Sequence, residues 1–555
     1  MKYSIGIDYG TQSARAVLVE IGSGKVMAST EQFYPHGVME NELPSGKKLG
    51  ADWAIQVGYD YYMMLVAAVK DLIKESRVDP ILIIGIGIDT TSCTILPLDD
   101  QFEPLNEQNA FKDNPHAYVK MWKHHAAQGQ ANLLTKMAEK ENMSFLKRYG
   151  GKISSEWMLP KIMQVLDEAP EVYDAAARFM EVGDWLVYKL TDNLVKSNVM
   201  TGYKALWSVS EGYPDAGFFR LLHPKLKNVI TEKLDIPILN VGNNAGCLVE
   251  KVAKEMGLTE QTAVAVAHTD ACVVPAAIGM NKAGQMVMSI GTSTCHLLLG
   301  DEEKIVPGMC GVVQDGTLPG FISYEAGQAS VGDVFHWFVQ TCINSEFQKE
   351  ASDKGIDVYQ FLEEKAQQLK VGQNGLIALD WFNGNRTVLV DADLSGMILG
   401  LNLHTTPEEI YRALIEATAF GTRKIIKTYE SYGVPVNELF ACGGIATKSP
   451  LIMQIYADVC NKDIHVSNLP QTSAYASAIY GATAAGVSRG GYGKVADAAA
   501  VMGNHQKKTY SPNPANTRIY DTLFSIYEEM HDFMGIQSNA MKKLKEIRNE
   551  VGGGT

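Results

Sequence analysis

Two turns about half a chain apart carry the same chemistry: Ile5-Gly6-Ile7-Asp8-Tyr9-Gly10-Thr11-Gln12-Ser13 and Met288-Ser289-Ile290-Gly291-Thr292-Ser293-Thr294. In each, a short apolar run ends in Gly-Thr-x-Ser or Gly-Thr-Ser-Thr, small residues that leave backbone N–H groups and hydroxyls free to point at an anion. Either turn alone is a common strand-to-strand connection, and the pairing is what favours phosphate. Facing each other, the two would clamp one polyphosphate from opposite sides. Asp8 ends the first apolar run, where its carboxylate suits a magnesium ion (Mg2+) held through water, because magnesium takes few carboxylates and retains several waters.

A second acidic residue closes another apolar run, Ala263-Val264-Ala265-Val266-Ala267-His268-Thr269-Asp270. Two readings of Asp270 are open: a general base accepting the proton of a hydroxyl, or a cap on the helix that follows. Ala441-Cys442-Gly443-Gly444-Ile445-Ala446-Thr447-Lys448 joins a strand to a helix, and its paired glycines would let a flat ring such as a purine lie against the backbone. A tight strand-to-helix turn explains the same residues. Lys204 and Glu325 stand among apolar and aromatic neighbours, a mixture that suits sugars, whose hydroxyls need directed hydrogen bonds and whose carbon faces pack on rings. Solvated charges are the plainer account of both. Trp122, Trp157, Trp185 and His336 read as core or rim residues rather than ligands.

The elements that must position these residues follow from hydrophobic pattern. Tyr3 to Ile7, Ala14 to Glu20 and Gly24 to Ser29 read as a β-meander turned at Gly22-Ser23-Gly24. An amphipathic helix is expected from Asp52 to Glu75, and Ile81 to Ile88 reads as a strand buried on both faces. The order partly recurs later. Gln285 to Ile290 and Thr294 to Leu299 are strands, Thr406 to Tyr432 is a helix opened by Thr-Pro-Glu-Glu, and Glu438 to Cys442 is a strand. Duplicated α/β domains across a cleft are implied, with their boundary near 270 to 285. Residues 101 to 260 read as a mainly helical insertion shaping a substrate pocket, and Lys542 to Thr555 as a charged helix ending in three glycines.

At 555 residues the chain exceeds one core and implies about two to four domains. Lys plus Arg number 49 against 63 Asp plus Glu, and the net charge of −14 argues against a broad nucleic-acid or anionic-membrane surface. The 8 cysteines show no Cys-x-x-Cys and no nearby paired histidines, so neither a zinc site nor a disulfide framework is expected. The amino terminus runs directly into a strand and no apolar run reaches membrane-spanning length, which points to a reducing cytoplasm.

Taken in order, these motifs resemble the FGGY family of carbohydrate kinases, from Ile5 to about Gly486. Gly396-Met397-Ile398-Leu399-Gly400-Leu401, then after seven residues Glu409-Ile410-Tyr411-Arg412-Ala413-Leu414-Ile415-Glu416, is similar to the family's carboxy-terminal signature, apart from Leu414 where a smaller or β-branched residue is usual. The resemblance implies an α/β fold of two actin-like (ribonuclease H-like) duplicated domains flanking a catalytic cleft. Residues 1–280 would form the N-terminal domain with a sugar-binding insertion, and 281–555 the C-terminal domain with the adenosine site. Position by position, it implies that Asp8, Gly10, Thr11, Gln12 and Ser13 serve the first phosphate turn, that Gly291, Thr292 and Ser293 serve the second, and that Gly443, Gly444 and Lys448 serve the adenosine site. Asp270 matches the catalytic base.

Ile86-Gly87-Ile88-Asp89-Thr90-Thr91-Ser92-Cys93-Thr94 and Asp380-Trp381-Phe382-Asn383-Gly384-Asn385-Arg386 look most like the members that act on L-ribulose in arabinose catabolism. That likeness implies Ser92, Lys204, Asp270 and Glu325 around a ketopentose. The expected reaction moves the γ-phosphoryl group of ATP, with magnesium, to the 5-hydroxyl of L-ribulose. Its partners are then small molecules, neither nucleic acid nor membrane, with a homodimer allowed. The same chemistry on D-ribulose, D-xylulose or ribitol stands beside it, as does, at lower weight, a non-catalytic actin-like nucleotide switch.

Overall fold

A computed structural model describes residues 1–503 and 507–551. In the first half, strands β1 (Tyr3–Tyr9), β2 (Ser13–Glu20), β3 (Val26–Phe33), β4 (Ile83–Thr90), β5 (Asn244–Cys247), β6 (Ala263–Ala265) and β7 (His268–Thr269) share one sheet, ordered β5-β6-β4-β1-β2-β3 with β7 continuing along β4. In the second, β8 (Gln285–Ile290), β9 (Thr294–Gly300), β10 (Gly311–Gln314), β11 (Ile322–Gln328), β12 (Glu438–Cys442), β13 (Ile464–Ser467) and β14 (Lys507–Tyr510) follow the order β10-β11-β9-β8-β12-β13-β14.

The duplication expected from the turns is visible strand by strand. In each sheet an antiparallel meander (β1-β2-β3, and β8-β9-β11) joins through its first strand to a parallel neighbour (β4, and β12). A second parallel strand (β6, and β13) and an antiparallel edge (β5, and β14) complete both. The edge strand precedes its partner in sequence in the first sheet and follows it in the second. β1 and β4 lie at the centre and are buried along their whole length, as their unbroken apolar runs require.

Seven helices matter for the site: α1 (Gly58–Ser76), α2 (Met158–Glu168), α3 (Asn198–Lys204), α4 (Asp270–Ala277), α5 (Pro407–Ser431), α6 (Thr472–Ala485) and α7 (Ala540–Val551). α5 starts where the sequence places it, because the Thr406 side chain and Glu409 form a reciprocal capping box. α1 starts later than Asp52. Ile55-Gln56 instead pairs with Val119-Lys120, and Asp52 adopts a left-handed φ of 64° that no helix admits. The same short pairing joins Ile95–Leu98 and Arg178–Glu181 in a four-stranded sheet, so the insertion of residues 101 to 260 is helical around a small sheet. Two-residue strands leave no periodicity for sequence to reveal. In the tail, α7 ends at Val551, and the three glycines expected after it lie outside the described residues.

α6 is apolar or small on every face and is buried from Ala474 to Ala485, as a helix between two layers must be. It lies with α4 in a core bounded by Val17, Val19 and Ala263 of the first sheet and Val287, Leu297 and Phe440 of the second. Its approach to β1 and β4 is set by glycine. A Cβ at Gly6, Gly85 or Gly87 would fall within about 2 Å of the α6 carbonyls of Ala474, Gly481 and Ser477, at 1.8, 2.0 and 1.9 Å respectively.

Candidate active site

Three carboxylates gather at the carboxy-terminal edge of the first sheet because three adjacent parallel strands end there. Asp8 on β1 pairs in register with Asp89 on β4, and Asp89 with His268 on β7, which leads directly to Asp270. Asp270 is the first residue of α4, with Thr269 in the cap position. Its carboxylate accepts the Ala271 N–H at 2.7 Å, so it braces the first helical turn while facing the cleft. Burial, with the Asp8 charge nearby, pushes the Asp270 carboxyl up to about 7. Burial also raises Asp8, against a hydrogen bond from Asp89 and the charge of Arg15. Asp89 is raised well above the usual carboxylate range, by its own burial and then by Asp8, while Ser477 of α6 donates to its Oδ2 at 2.5 Å.

Each Gly-Thr turn closes on the N–H of its own glycine, the second one residue shorter than the first. Gly10 N–H donates to the Ser13 carbonyl at 3.0 Å, and Gly291 N–H to the Ser293 carbonyl at 2.9 Å. The Ser13 hydroxyl donates to Glu31 at 2.6 Å, which fixes the base of the first turn. Thr11 Oγ1 accepts the indole N–H of Trp122 at 3.0 Å. In the second turn the Thr292 carbonyl accepts the N–H groups of Val331 and Asp333 at 2.8 and 3.2 Å. Gly443 abuts this turn: its φ is 97°, and a Cβ there would sit 2.4 Å from the Ile290 carbonyl oxygen. Gly444 begins the short helix that ends at the exposed Lys448.

A cleft of about 960 Å³ opens between the halves. Asp8, Gly10, Thr11, Ser92, Lys204 and Asp270 of the first half line it together with Ser293 and Glu325 of the second. Gln12, Ser13, Gly291, Thr292, Gly443, Gly444 and Lys448 are not part of that lining.

One end of the cleft is built for a polar ligand with carbon faces. Glu325 is buried between two cations: Lys204 Nζ donates to its Oε2 at 3.3 Å and Arg386 Nη2 to its Oε1 at 2.7 Å. Both hold the Glu325 carboxyl below its ordinary value against burial, and Glu325 in turn raises Lys204. The Lys204 ammonium stands 5.7 Å from the Trp157 ring centroid and 5.6 Å from that of Tyr203.

Arg386, to which the sequence assigns no site role, lines the cleft; Trp157, buried in the core of the insertion, and Trp122, exposed at the rim, agree with the core-or-rim reading and also reach the cleft wall. Trp185 is buried and donates to the Phe102 carbonyl, and His336 meets Tyr359 at the surface, as the same reading expects. Of the 8 cysteines, all free, Cys295 and Cys310 also line the cleft, and Cys295 packs against the core behind it.

Among the described residues no group of three or more His, Cys, Asp or Glu side chains is placed to hold a metal ion. Asp8, a cleft-facing carboxylate, fits magnesium, whose remaining positions are filled by water and phosphate oxygen, and does not fit an all-protein metal cage. No helix among the described residues is long and apolar enough to cross a membrane.

Residues 3–279 match the model of the FGGY family of carbohydrate kinases, N-terminal domain, and residues 286–485 match that of the C-terminal domain. A ribulokinase of Bacillus licheniformis is 53% identical over 538 residues, covering 97% of this chain and 98% of the relative. One of Halalkalibacterium halodurans is 48% identical over 550 residues, covering 99% and 98%. Among solved structures, a ligand-bound xylulose kinase of Lactobacillus acidophilus superposes with a TM-score of 0.78 at 19% identity, covering 97% of this chain and 99% of that one. A xylulose kinase of Rhodospirillum rubrum gives 0.79 at 20%, covering 96% and 100%. The two-sheet α/β architecture with its internal duplication is thus shared with sugar kinases whose sequences have diverged widely.

Proposed function

The chain belongs to the FGGY family of carbohydrate kinases, and from that premise we infer that it transfers the γ-phosphoryl group of ATP to the 5-hydroxyl of L-ribulose. It is a carbohydrate kinase. The observation that carries the inference is a single cleft in which Asp270 shares walls with Gly10 and Thr11 of the first turn, with Ser293 of the second and with the Lys204–Glu325 pair. The curated relatives named above are ribulokinases over nearly their full length, which favours ribulose as acceptor.

The residues divide the work. Lys204 and Glu325 orient the sugar hydroxyls, and the Trp157 ring offers a face to its carbons. Asp270 takes the proton of the 5-hydroxyl and aims the oxygen at phosphorus. Its carboxyl, raised to about 7 by burial, is poised to accept a proton near neutral pH. The hydroxyls of Thr11 and Thr292 and the amides of the two turns meet the phosphate charge, since phosphoryl transfer depends chiefly on positioning and electrostatics. Asp8 would hold magnesium through water, and the ion would supply charge neutralisation at the phosphates. Gly443 and Gly444, beside the second turn, would accept the adenosine, with Lys448 at its rim. Closure of the halves would exclude water and spare ATP from hydrolysis.

ADP release measured with ATP, magnesium and, in turn, L-ribulose, D-ribulose, D-xylulose and ribitol tests the inference. L-ribulose should give the highest kcat/KM. No sugar-dependent ADP release with any of them would overturn it, and a stronger response to another pentose would reassign the acceptor.

A further inference from the structure

Lys161 is wholly buried in the first turn of α2, with 0% of its surface exposed. Its ammonium donates to two main-chain carbonyls, Cys93 at 2.5 Å and Met121 at 2.6 Å. Each carbonyl adjoins a residue that faces the cleft: Cys93 follows Ser92, and Met121 precedes Trp122, whose indole clasps the Thr11 hydroxyl. The first of these loops is tightly wound, with Cys93 at a left-handed φ of 60°, and is fastened from behind by the Thr94 N–H donating to Glu181 at 2.9 Å. The second is held again one turn along α2, where His124 Nε2 meets Gln164 Oε1 at 2.8 Å and the Ala54 N–H donates to the opposite ring nitrogen at 3.3 Å. The amino-terminal end of α2 meanwhile presents Trp157 to the cleft beneath Lys204. One helix therefore ties together three walls of the sugar end.

A buried ammonium is an expensive way to fill space. An apolar side chain of similar volume is often neutral or stabilising in such a position, whereas only a multivalent donor can join two carbonyls from separate loops. We propose that Lys161 is a positioning residue for the phosphoryl acceptor, fixing the Ser92 loop and the Trp122 loop at one separation so that the sugar end is preformed before ligand arrives. The inference rests on the sugar-kinase reading of the cleft and goes beyond it by assigning a residue that touches no substrate.

Lys161→Met retains chain length and removes the donors. The ketopentose KM should rise about tenfold or more, as expected for losing one or two charge-assisted hydrogen bonds, while the KM for ATP and kcat at saturating sugar stay within about threefold. Lys161→Met/Glu181→Gln, which also removes the facing buried carboxylate, should keep the sugar defect; recovery of normal sugar KM in this double variant would attribute the defect to stranded charge and overturn the proposal. Wild-type turnover on at least one ketopentose tests the underlying reading. The inference fails separately, when that turnover is present and the variant's ketopentose KM lies within about twofold of wild type or rises in step with that for ATP. Should both variants fail to fold, amide exchange in the wild-type protein decides: ketopentose should slow exchange at Thr94 and His124 together, and protection of one loop alone would overturn the coupling.

Discussion

Lys204 Nζ stands 3.3 Å from Glu325 Oε2, an ion pair that crosses from the first half of the chain to the second inside the cleft. Both side chains are largely buried, at 14% and 7% exposure, so each depends on the other for its charge. Glu325 has a second cation in Arg386; Lys204 has no second carboxylate among its ion pairs in the described residues. The two ends of the pair should therefore respond unequally to substitution.

Lys204→Met is expected to weaken ketopentose binding at least about tenfold with ATP affinity within about threefold, since Arg386 still satisfies Glu325. Glu325→Ala strands the buried Lys204 ammonium, while Arg386, 40% exposed, stays solvated, and should in addition lower folding stability by about 3 kcal/mol, the usual scale for breaking a buried pair. Urea denaturation read beside separate KM values for sugar and ATP distinguishes them. A stability loss as large in Lys204→Met as in Glu325→Ala would contradict the asymmetry.

Asp270→Asn keeps the acceptor oxygen that meets the Ala271 N–H, so the first turn of α4 should remain intact. Turnover should nonetheless fall by about 10² to 10⁴, the contribution of a positioned general base. Steady-state kinetics with a circular dichroism melt checks both halves of the expectation. Near-normal kcat would remove Asp270 from the role.

A base whose carboxyl is raised to about 7 is ionised above that value and protonated below it. Wild-type kcat/KM should therefore rise with pH through about 7 and then level, and that limb should vanish in Asp270→Asn. Stability moves the other way. A carboxyl whose folded value lies above its unfolded value favours folding at low pH and opposes it as pH rises between the two, so Asp270→Asn should raise the melting temperature at pH 8 more than at pH 4. An equal shift at both would show that burial does not strain this carboxyl.

Gly85→Ala and Gly87→Ala place a methyl group 2.0 Å or less from α6 carbonyl oxygens, where only backbone movement can relieve the contact. Each should lower stability by about 1–3 kcal/mol or more, the scale of overpacking in a close-packed core. Gly37→Ala, where nothing lies within 4 Å, serves as the control, with a smaller loss set by its φ of 60°. Thermal unfolding measures all three.

Much of this architecture was legible in sequence because it is local. β8 and β12 begin and end where an apolar run meets glycine or a turn, and Asp8 and Asp270 stand out because each closes such a run. What sequence concealed depends on contacts across long separations. Asp89 gains its importance from Asp8, far along the chain in its parallel neighbour, and Arg386 from Glu325, on a strand that no pattern places beside it. Lys161 left a faint mark. It interrupts the apolar stretch Met158-Leu159-Pro160-Lys161-Ile162-Met163, and a lysine on the buried side of a helix needs a partner, but nothing local identifies the carbonyls of Cys93 and Met121 as that partner. Trp122 and Trp157 carried no signal that separates a cleft wall from a core.

The position of α6 has a consequence for the integrity of the polypeptide. By sequence it belongs to the second half, yet it roofs the central strands of the first, resting on Gly6, Gly85 and Gly87. A nick near residue 280 would leave the amino-terminal fragment with a bare glycine trough, and the carboxy-terminal fragment with an alanine-rich rod lacking its bed. Neither fragment would hold its shape in isolation. Co-expressed, they would behave as complementing halves that recover activity only by reassociation.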